Sequence, residues 1–222
     1  MKFGAVIVIV GASMDTARTV GMALDRTFPG ATEEAALVAE LQAGSDDAFA
    51  YLLAVYQHQV FNLVSHILDN PTEAPDVLQD VFIKVYKGIG QFHGESSLKT
   101  WIYRIAVHEA SNHKRGWLRR HLREAFSMDD TNSEGVVMAA EVRSQLPSPY
   151  EAFEQAERQE IVQRALACLA QPYRTAVVLR DIGGLPYDEI ARVLGVAEGT
   201  VKSRLMRGRE LLRRKLSWQL AR

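Results

Sequence analysis

The sequence predicts an all-α protein of two small helical domains joined by a flexible linker. Three observations predict it. Apolar residues recur at helical spacing on both sides of the chain's middle, residues 124–150 lose that spacing, and no stretch alternates apolar with polar residues long enough for a strand. At 222 residues the chain can hold one large domain or two small ones with separate cores, and the change of pattern favours two.

Residues 1–32 carry no sustained period and read as a poorly ordered N-terminal extension, with Met14 and Met22 leaving a later translational start open. The apolar run Ala5 to Val10 is far shorter than the roughly 20 residues that cross a bilayer. With Lys2 before it and Gly11-Ala12-Ser13 after it, it only faintly resembles a signal peptide, so a cytoplasmic protein is expected. Gly11-Ala12-Ser13 also lacks the second and third glycines of a dinucleotide loop.

Residues 33–123 read as the first domain. Ala36, Leu37 and Leu41 mark one helix, and Phe49, Leu52, Leu53, Tyr56, Val60, Leu63, Val64 and Ile67 a second that Asn70-Pro71 breaks. Pro75-Asp76 opens a third helix to about Gly90, with Leu78, Val81, Phe82, Val85 and Ile89 inward. A fourth starts near Ser97, turns Leu98, Trp101, Ile102, Ile105 and Ala106 inward, and continues into the basic segment around Lys114. Residues 124–150 collect Asp129, Asp130, Asn132, Gly135, Pro147 and Pro149, the composition of a linker. The second domain, 151–222, holds a helix ending at Ala170 with Ile161, Ala165 and Leu169 inside, a helix from Pro172 to Gly183-Gly184, and two more over Pro186 to Leu194 and Glu198 to about Leu216.

Charge is polarised although the formal net charge is -1. No Lys or Arg falls between Thr27 and Ile83, where Glu33, Glu34, Glu40, Asp46, Asp47, Asp69, Glu73, Asp76 and Asp80 all lie. Basic stretches follow at Lys114, Arg115, Arg119, Arg120 and Arg123, and again from Lys202 to Arg222, whose only acid is Glu210. An acidic face suits a protein partner and basic faces suit phosphate, while a plain solvated surface is the alternative.

The sharpest local pattern runs from Leu185 to Leu205 and reads as a helix-turn-helix. Ala191 is small enough for a second helix to cross close by, Gly195 permits a left-handed turn, and Ile190, Leu194, Val196, Val201 and Leu205 make the shared core. The outward face of the second helix carries Thr200, Lys202, Ser203, Met206 and Arg207, residue types that meet phosphates and base edges in the major groove. In the first domain, the third helix shows Gln79, Asp80, Ile83 and Lys87 on its outer face, an arrangement suited to docking on a partner helix or to a plain surface. Phe92 to Arg115 interleaves aromatic, amide and imidazole groups with cations, which suits unstacked bases of single-stranded DNA, and Trp101 reads as core because it shares a face with Leu98 and Ile105.

The order of Asp76 to Ile89, Phe92 to Arg115, a linker, Leu179-Arg-Asp-Ile-Gly-Gly-Leu-Pro-Tyr-Asp-Glu-Ile-Ala and the helix-turn-helix resembles an extracytoplasmic-function sigma factor. The resemblance covers about residues 35–116 and 151–216. It implies that the first domain is sigma region 2 and the second sigma region 4. Asp76, Gln79, Asp80, Ile83, Lys84 and Lys87 would bind core RNA polymerase at the clamp helices of its largest subunit, with a further contact at the flap. Lys99, Tyr103, Arg104, His108, Asn112, Lys114 and Arg115 would take and help melt the minus-ten element. Thr200, Lys202, Ser203, Arg204, Met206 and Arg207 would read the minus-35 element. The resemblance also implies an anti-sigma factor as a partner. Two features depart from the family: the extension before Glu33 is long, and His108 stands where the family's Trp-Ile-Tyr-Arg-Ile-Ala-x-Asn motif has Asn.

A stand-alone helix-turn-helix regulator is the rival reading, and affinity for core polymerase without DNA separates the two. No catalytic site, small-molecule substrate, cofactor or metal is expected. His58, His66, His93, His108, His113 and His121 lack paired carboxylates or nearby thiols in a ligand pattern, and the lone Cys168 permits neither an internal disulfide nor a thiol cluster.

Overall fold

The computed structural model describes residues 31–125 and 160–220, with side-chain surroundings for 33–113 and 160–217. The expectations for 1–30, for most of the linker and for the helix before residue 160 lie outside the described residues. Those described form an all-α fold of α1 (Ala31–Gln42), α2 (Asp46–Ile67), α3 (Ala74–Gly88), α4 (Leu98–Ala125), α5 (160–167), α6 (Gln171–Val177), α7 (Tyr187–Leu194) and α8 (Glu198–Leu220).

The breaks have local causes. Gly44 adopts φ +81 between α1 and α2, a conformation that costs other residues more, and Ser45 then caps α2 by accepting the Ala48 N–H at 3.2 Å. Asn70 caps the short turn Pro71–Glu73, and Pro75 sits in the first turn of α3, where its missing N–H leaves no helical bond unmade. At the start of α4, Ser97 accepts the Thr100 N–H at 3.1 Å, while the Glu34 carboxylate accepts the Leu98 N–H at 2.9 Å. An anion is stabilised at a helix N-terminus, so α1 fixes where α4 begins.

The first domain is built by α2, α3 and α4 around Leu52, Tyr56, Leu63, Val81, Phe82, Leu98 and Ile102, all at most 1% exposed except where α1 covers the edge with Leu37 and Leu41. Ala36, expected inward, is exposed, and on α3 Val77 takes the inward place expected of Leu78, which is half-buried. Val81, Phe82, Val85 and Ile89 face inward as read in the sequence, and the buried stripe extends N-terminally through Val77 and Ala74, which leaves Leu78 at its edge.

Separate cores were expected, and the buried side chains instead form one continuous apolar cluster from Leu37 to Leu205. The π-helical turn Val178–Ile182 that extends α6 packs on α2, and α7 packs on α4. Arg174 of α6 clasps the two halves. Its guanidinium donates to Ala167 O at 2.6 Å and Leu169 O at 3.2 Å on its own side, and to Ile67 O at 3.1 Å and the Asp69 carboxylate at 2.6 Å on the other. Gln163 adds a bond to Ser65 O at 2.8 Å and Gln171 one to Ser111 at 3.3 Å.

Candidate nucleic-acid interface

The helix-turn-helix forms as its sequence dictates. Gly195 ends α7 in the left-handed region (φ 63, ψ 38), and both its own N–H and that of Val196 reach Ala191 O. Ile190, Val201 and Leu205 are at most 2% exposed and lock α7 to α8. A second small residue sits at a close helix approach. At Gly208 an added Cβ would come within 2.7 Å of Val177 Cγ2 and 3.3 Å of Tyr173 O.

On the outer face of α8, Lys202, Ser203, Met206 and Arg207 are exposed and Thr200 and Arg204 half-buried. Met206 is 69% exposed, far out of water's preference for a thioether and suited to a ligand surface. Lys202 Nζ lies 2.8 Å from Glu198 Oε1 one turn back, and this bond raises the ammonium's pKa. Arg209 holds Asp181 with two nitrogens, at 2.5 and 3.1 Å, so α8 is tied to the end of α6 just beside the cationic face. An apolar-floored groove of 620 Å³ runs along this face between Tyr187, Lys202, Met206 and Arg213.

On α3, Asp76, Asp80, Lys84 and Lys87 are exposed, while Gln79 and Ile83 are half-buried. Ile83, expected exposed on the outer face, is only partly so. The Lys84 ammonium turns inward to donate to Glu109 Oε1 at 2.7 Å.

On α4, Arg104 and His108 are exposed one turn apart and Asn112 is half-buried on the same face. Lys114 and Arg115 lie on α4, their side chains outside the described residues. Lys99 is half-buried with its ammonium 5.3 Å above the Tyr103 ring, and burial lowers its pKa, with Glu189 opposing. Tyr103 is not available on this surface. It is 2% exposed, its hydroxyl is pushed up to about 12 by burial, and Gly183 lies so close that a Cβ there would sit 2.9 Å from the Tyr103 ring. Thr100, also 2% exposed, donates its hydroxyl to the Glu189 carboxylate of α7. The cause is tertiary: α7 and the turn before it cover the N-terminal part of α4.

Trp101 is half-buried against Phe92, ring centroids 5.3 Å apart, in keeping with its reading as core. A cleft of 420 Å³ opens beside it, between Gln91 to Ser96, Arg104 and the α7 residues Arg192 and Val193. Glu109, Glu189 and Arg174 were not singled out in the sequence; Glu109 bonds Lys84 of α3, Glu189 ties α7 to α4 through Thr100, and Arg174 bonds Ile67 O and Asp69 at the end of α2. Among the described residues no His, Cys, Asp and Glu cluster could hold a metal, and no helix is long and apolar enough to cross a membrane.

Residues 52–121 match the family described as Sigma-70 region 2, and residues 159–212 that described as Sigma-70, region 4. The chain is 35% identical over 180 residues to the ECF RNA polymerase sigma-E factor of Escherichia coli (strain K12), across 81% of this chain and 92% of that protein. It is 36% identical over 177 residues to the RNA polymerase sigma-H factor of Pseudomonas aeruginosa, across 79% and 90% of the two. Among solved structures, CnrH in complex with the cytosolic domain of CnrY superposes with a TM-score of 0.58 at 21% identity, over 83% of this chain and 97% of that one. The sigma factor RpoE in complex with the anti-sigma factor NepR from Bartonella quintana gives 0.56 at 25% identity, over 76% and 96%.

Proposed function

The chain belongs to the extracytoplasmic-function sigma factors, which direct RNA polymerase to promoters, and from that premise we propose how its parts divide the work. Residues 33–123 serve as region 2, 124–150 as the linker and 151–222 as region 4. The observation that carries the reading is that region 2 and region 4 match one chain in this order. A stand-alone helix-turn-helix regulator needs only the second.

The outer face of α3 docks on the polymerase clamp helices, with Asp76, Asp80 and Lys87 in water and Ile83 at the edge of a contact that would bury it fully. Arg104, His108, Asn112, Lys114 and Arg115 engage the minus-ten strand, joined by Lys99 and Tyr103 once α7 has moved away. Lys202, Ser203, Met206 and Arg207 face the minus-35 duplex, with Thr200 and Arg204 at its margin. Separation of the regions is required by length. The two elements lie about 25 base pairs apart, roughly 85 Å at about 3.4 Å per base pair, whereas Thr100 and Glu189 touch. The protein acts in the cytoplasm and is itself no enzyme; chemistry is left to the polymerase. Because the solved RpoE is held by an anti-sigma factor, we assign this chain a partner of the same kind.

The test is a pull-down on core polymerase. Asp80→Lys reverses an exposed charge without touching the core of α3, so the folded variant should lose core affinity several-fold, and wild-type affinity would remove the docking assignment.

A further inference from the structure

Glu109 stands at an inward position of α4. Ile102, Ala106 and Ala110 of the same stripe are at most 1% exposed and apolar, and Glu109 is 8% exposed. A carboxylate there requires partners, and it has two on a single oxygen. Lys84 Nζ of α3 lies 2.7 Å from Oε1, and His108 Nδ1 lies 2.9 Å from the same atom. Burial pushes the Glu109 pKa up, but the bonds from Lys84 and His108 outweigh it and hold the group below the usual carboxylate range, so it is ionised.

An ionised carboxylate only accepts hydrogen bonds, so Nδ1 of His108 must carry a hydrogen. In the neutral ring Nε2 is then an acceptor. The Asn112 amide nitrogen lies 3.1 Å from Nδ1 and 3.4 Å from Nε2. With Nδ1 already a donor, only Nε2 can receive it, at a length that a better donor would displace. The His108 side chain is 64% exposed, so its outer nitrogen is within reach of a strand.

We propose that Glu109 is a positioning residue that fixes the His108 ring as the Nδ1–H tautomer, so that Nε2 accepts from the exocyclic amine of an adenine or cytosine in the minus-ten strand. The proposal rests on the assignment of His108 to that strand. Thymine, which has no exocyclic amine, is disfavoured at the position His108 meets. Freed from Glu109, the ring can place its hydrogen on Nε2, and the outward nitrogen becomes a donor with the opposite preference.

The experiment uses the full chain, at a pH where the nitrogen-15 spectra themselves show the His108 ring to be neutral. Nitrogen-15 spectra of histidine-labelled protein report which ring nitrogen of His108 carries hydrogen. Fluorescence anisotropy of polymerase holoenzyme on minus-ten oligonucleotides varied at each position reports base ranking. Wild type should show Nδ1–H and a preference for adenine or cytosine over thymine at one position, by about fivefold, the size of one hydrogen bond. Glu109→Ala should move the hydrogen to Nε2 and abolish that preference. Glu109→Gln, whose amide oxygen still accepts from Nδ1–H, should keep both; a purely structural role for the buried charge would instead have Gln fail with Ala. Nε2–H in wild type, or the same tautomer in wild type and Glu109→Ala, overturns the positioning role. If the tautomer moves and His108→Ala changes the base ranking while Glu109→Ala does not, the proposal also fails. If His108→Ala leaves the ranking unchanged, the assignment of His108 to the strand is what has failed.

Discussion

Replacing Asp69 by Ala tests how the two regions are held together. Arg174 is 2% exposed and the Asp69 side chain 50%, with 2.6 Å between their charged atoms. The variant leaves Arg174 its bonds to Ala167 O, Leu169 O and Ile67 O, so region 4 keeps its internal cap and only the clasp to region 2 is weakened. A hydrogen bond between charged groups is worth about 1.5–3 kcal/mol, and half-exposure of Asp69 reduces this to about 1–2 kcal/mol. That amounts to roughly a 5- to 30-fold shift toward separated regions, at about 1.4 kcal/mol per factor of ten. Because Tyr103 and Thr100 are covered only when the regions are together, the free protein's affinity for a single-stranded minus-ten oligonucleotide should rise by up to that factor. Its affinity for a minus-35 duplex should stay constant, since Lys202, Met206 and Arg207 are exposed already. Anisotropy titrations on the two DNAs, with thermal unfolding as a check on folding, make the comparison. Unchanged minus-ten affinity in a folded variant, or an equal change on both DNAs, would refute the reasoning. Gln163→Ala, which removes the weaker neutral bond to Ser65 O, should act in the same direction by less.

On α8, Lys202→Ala and Arg207→Ala should each weaken minus-35 binding, by about 1–3 kcal/mol where a base contact is lost, whereas loss of a phosphate contact lowers the salt slope by about one; titrations across ionic strength separate the two, and an unchanged affinity and slope for both variants would misplace the recognition helix. Gly208→Ala should lower the thermal stability of region 4, because overpacking against Val177 and Tyr173 O costs about 1–3 kcal/mol and helix propensity returns only about 1 kcal/mol; a melting temperature above wild type would show that α8 can shift away.

The helix-turn-helix was legible because its determinants are local. Gly195, Ile190, Val201 and Leu205 lie within one stretch, and each acts through its own turn or its neighbour helix. The third helix was legible as an element and in its inner face through Val81, Phe82, Val85 and Ile89; only its first turn was missed, since Val77 and Leu78 are adjacent apolar residues and packing decides which faces inward. The burial of Tyr103 could not be read from its neighbours, because Gly183, distant in the chain, packs against its ring. The Arg174–Asp69 clasp spans 105 residues and has no local signature. Glu109 did leave a trace: an acid on the stripe of Ile102, Ala106 and Ala110, directly after an exposed His, marks a buried carboxylate that needs partners. The matching cation was not visible, because Lys84 reads as a surface residue of a different helix.

Run-off transcription with purified core polymerase on a library of genomic promoter fragments tests the central claim most directly. The account predicts discrete transcripts only when this chain and core enzyme are both present, starting downstream of shared minus-35 and minus-ten sequences, and strongly reduced for Asp80→Lys and for Lys202→Ala with Arg207→Ala. A chain that binds duplex DNA yet yields no core-dependent transcript and shows no affinity for core enzyme would contradict it.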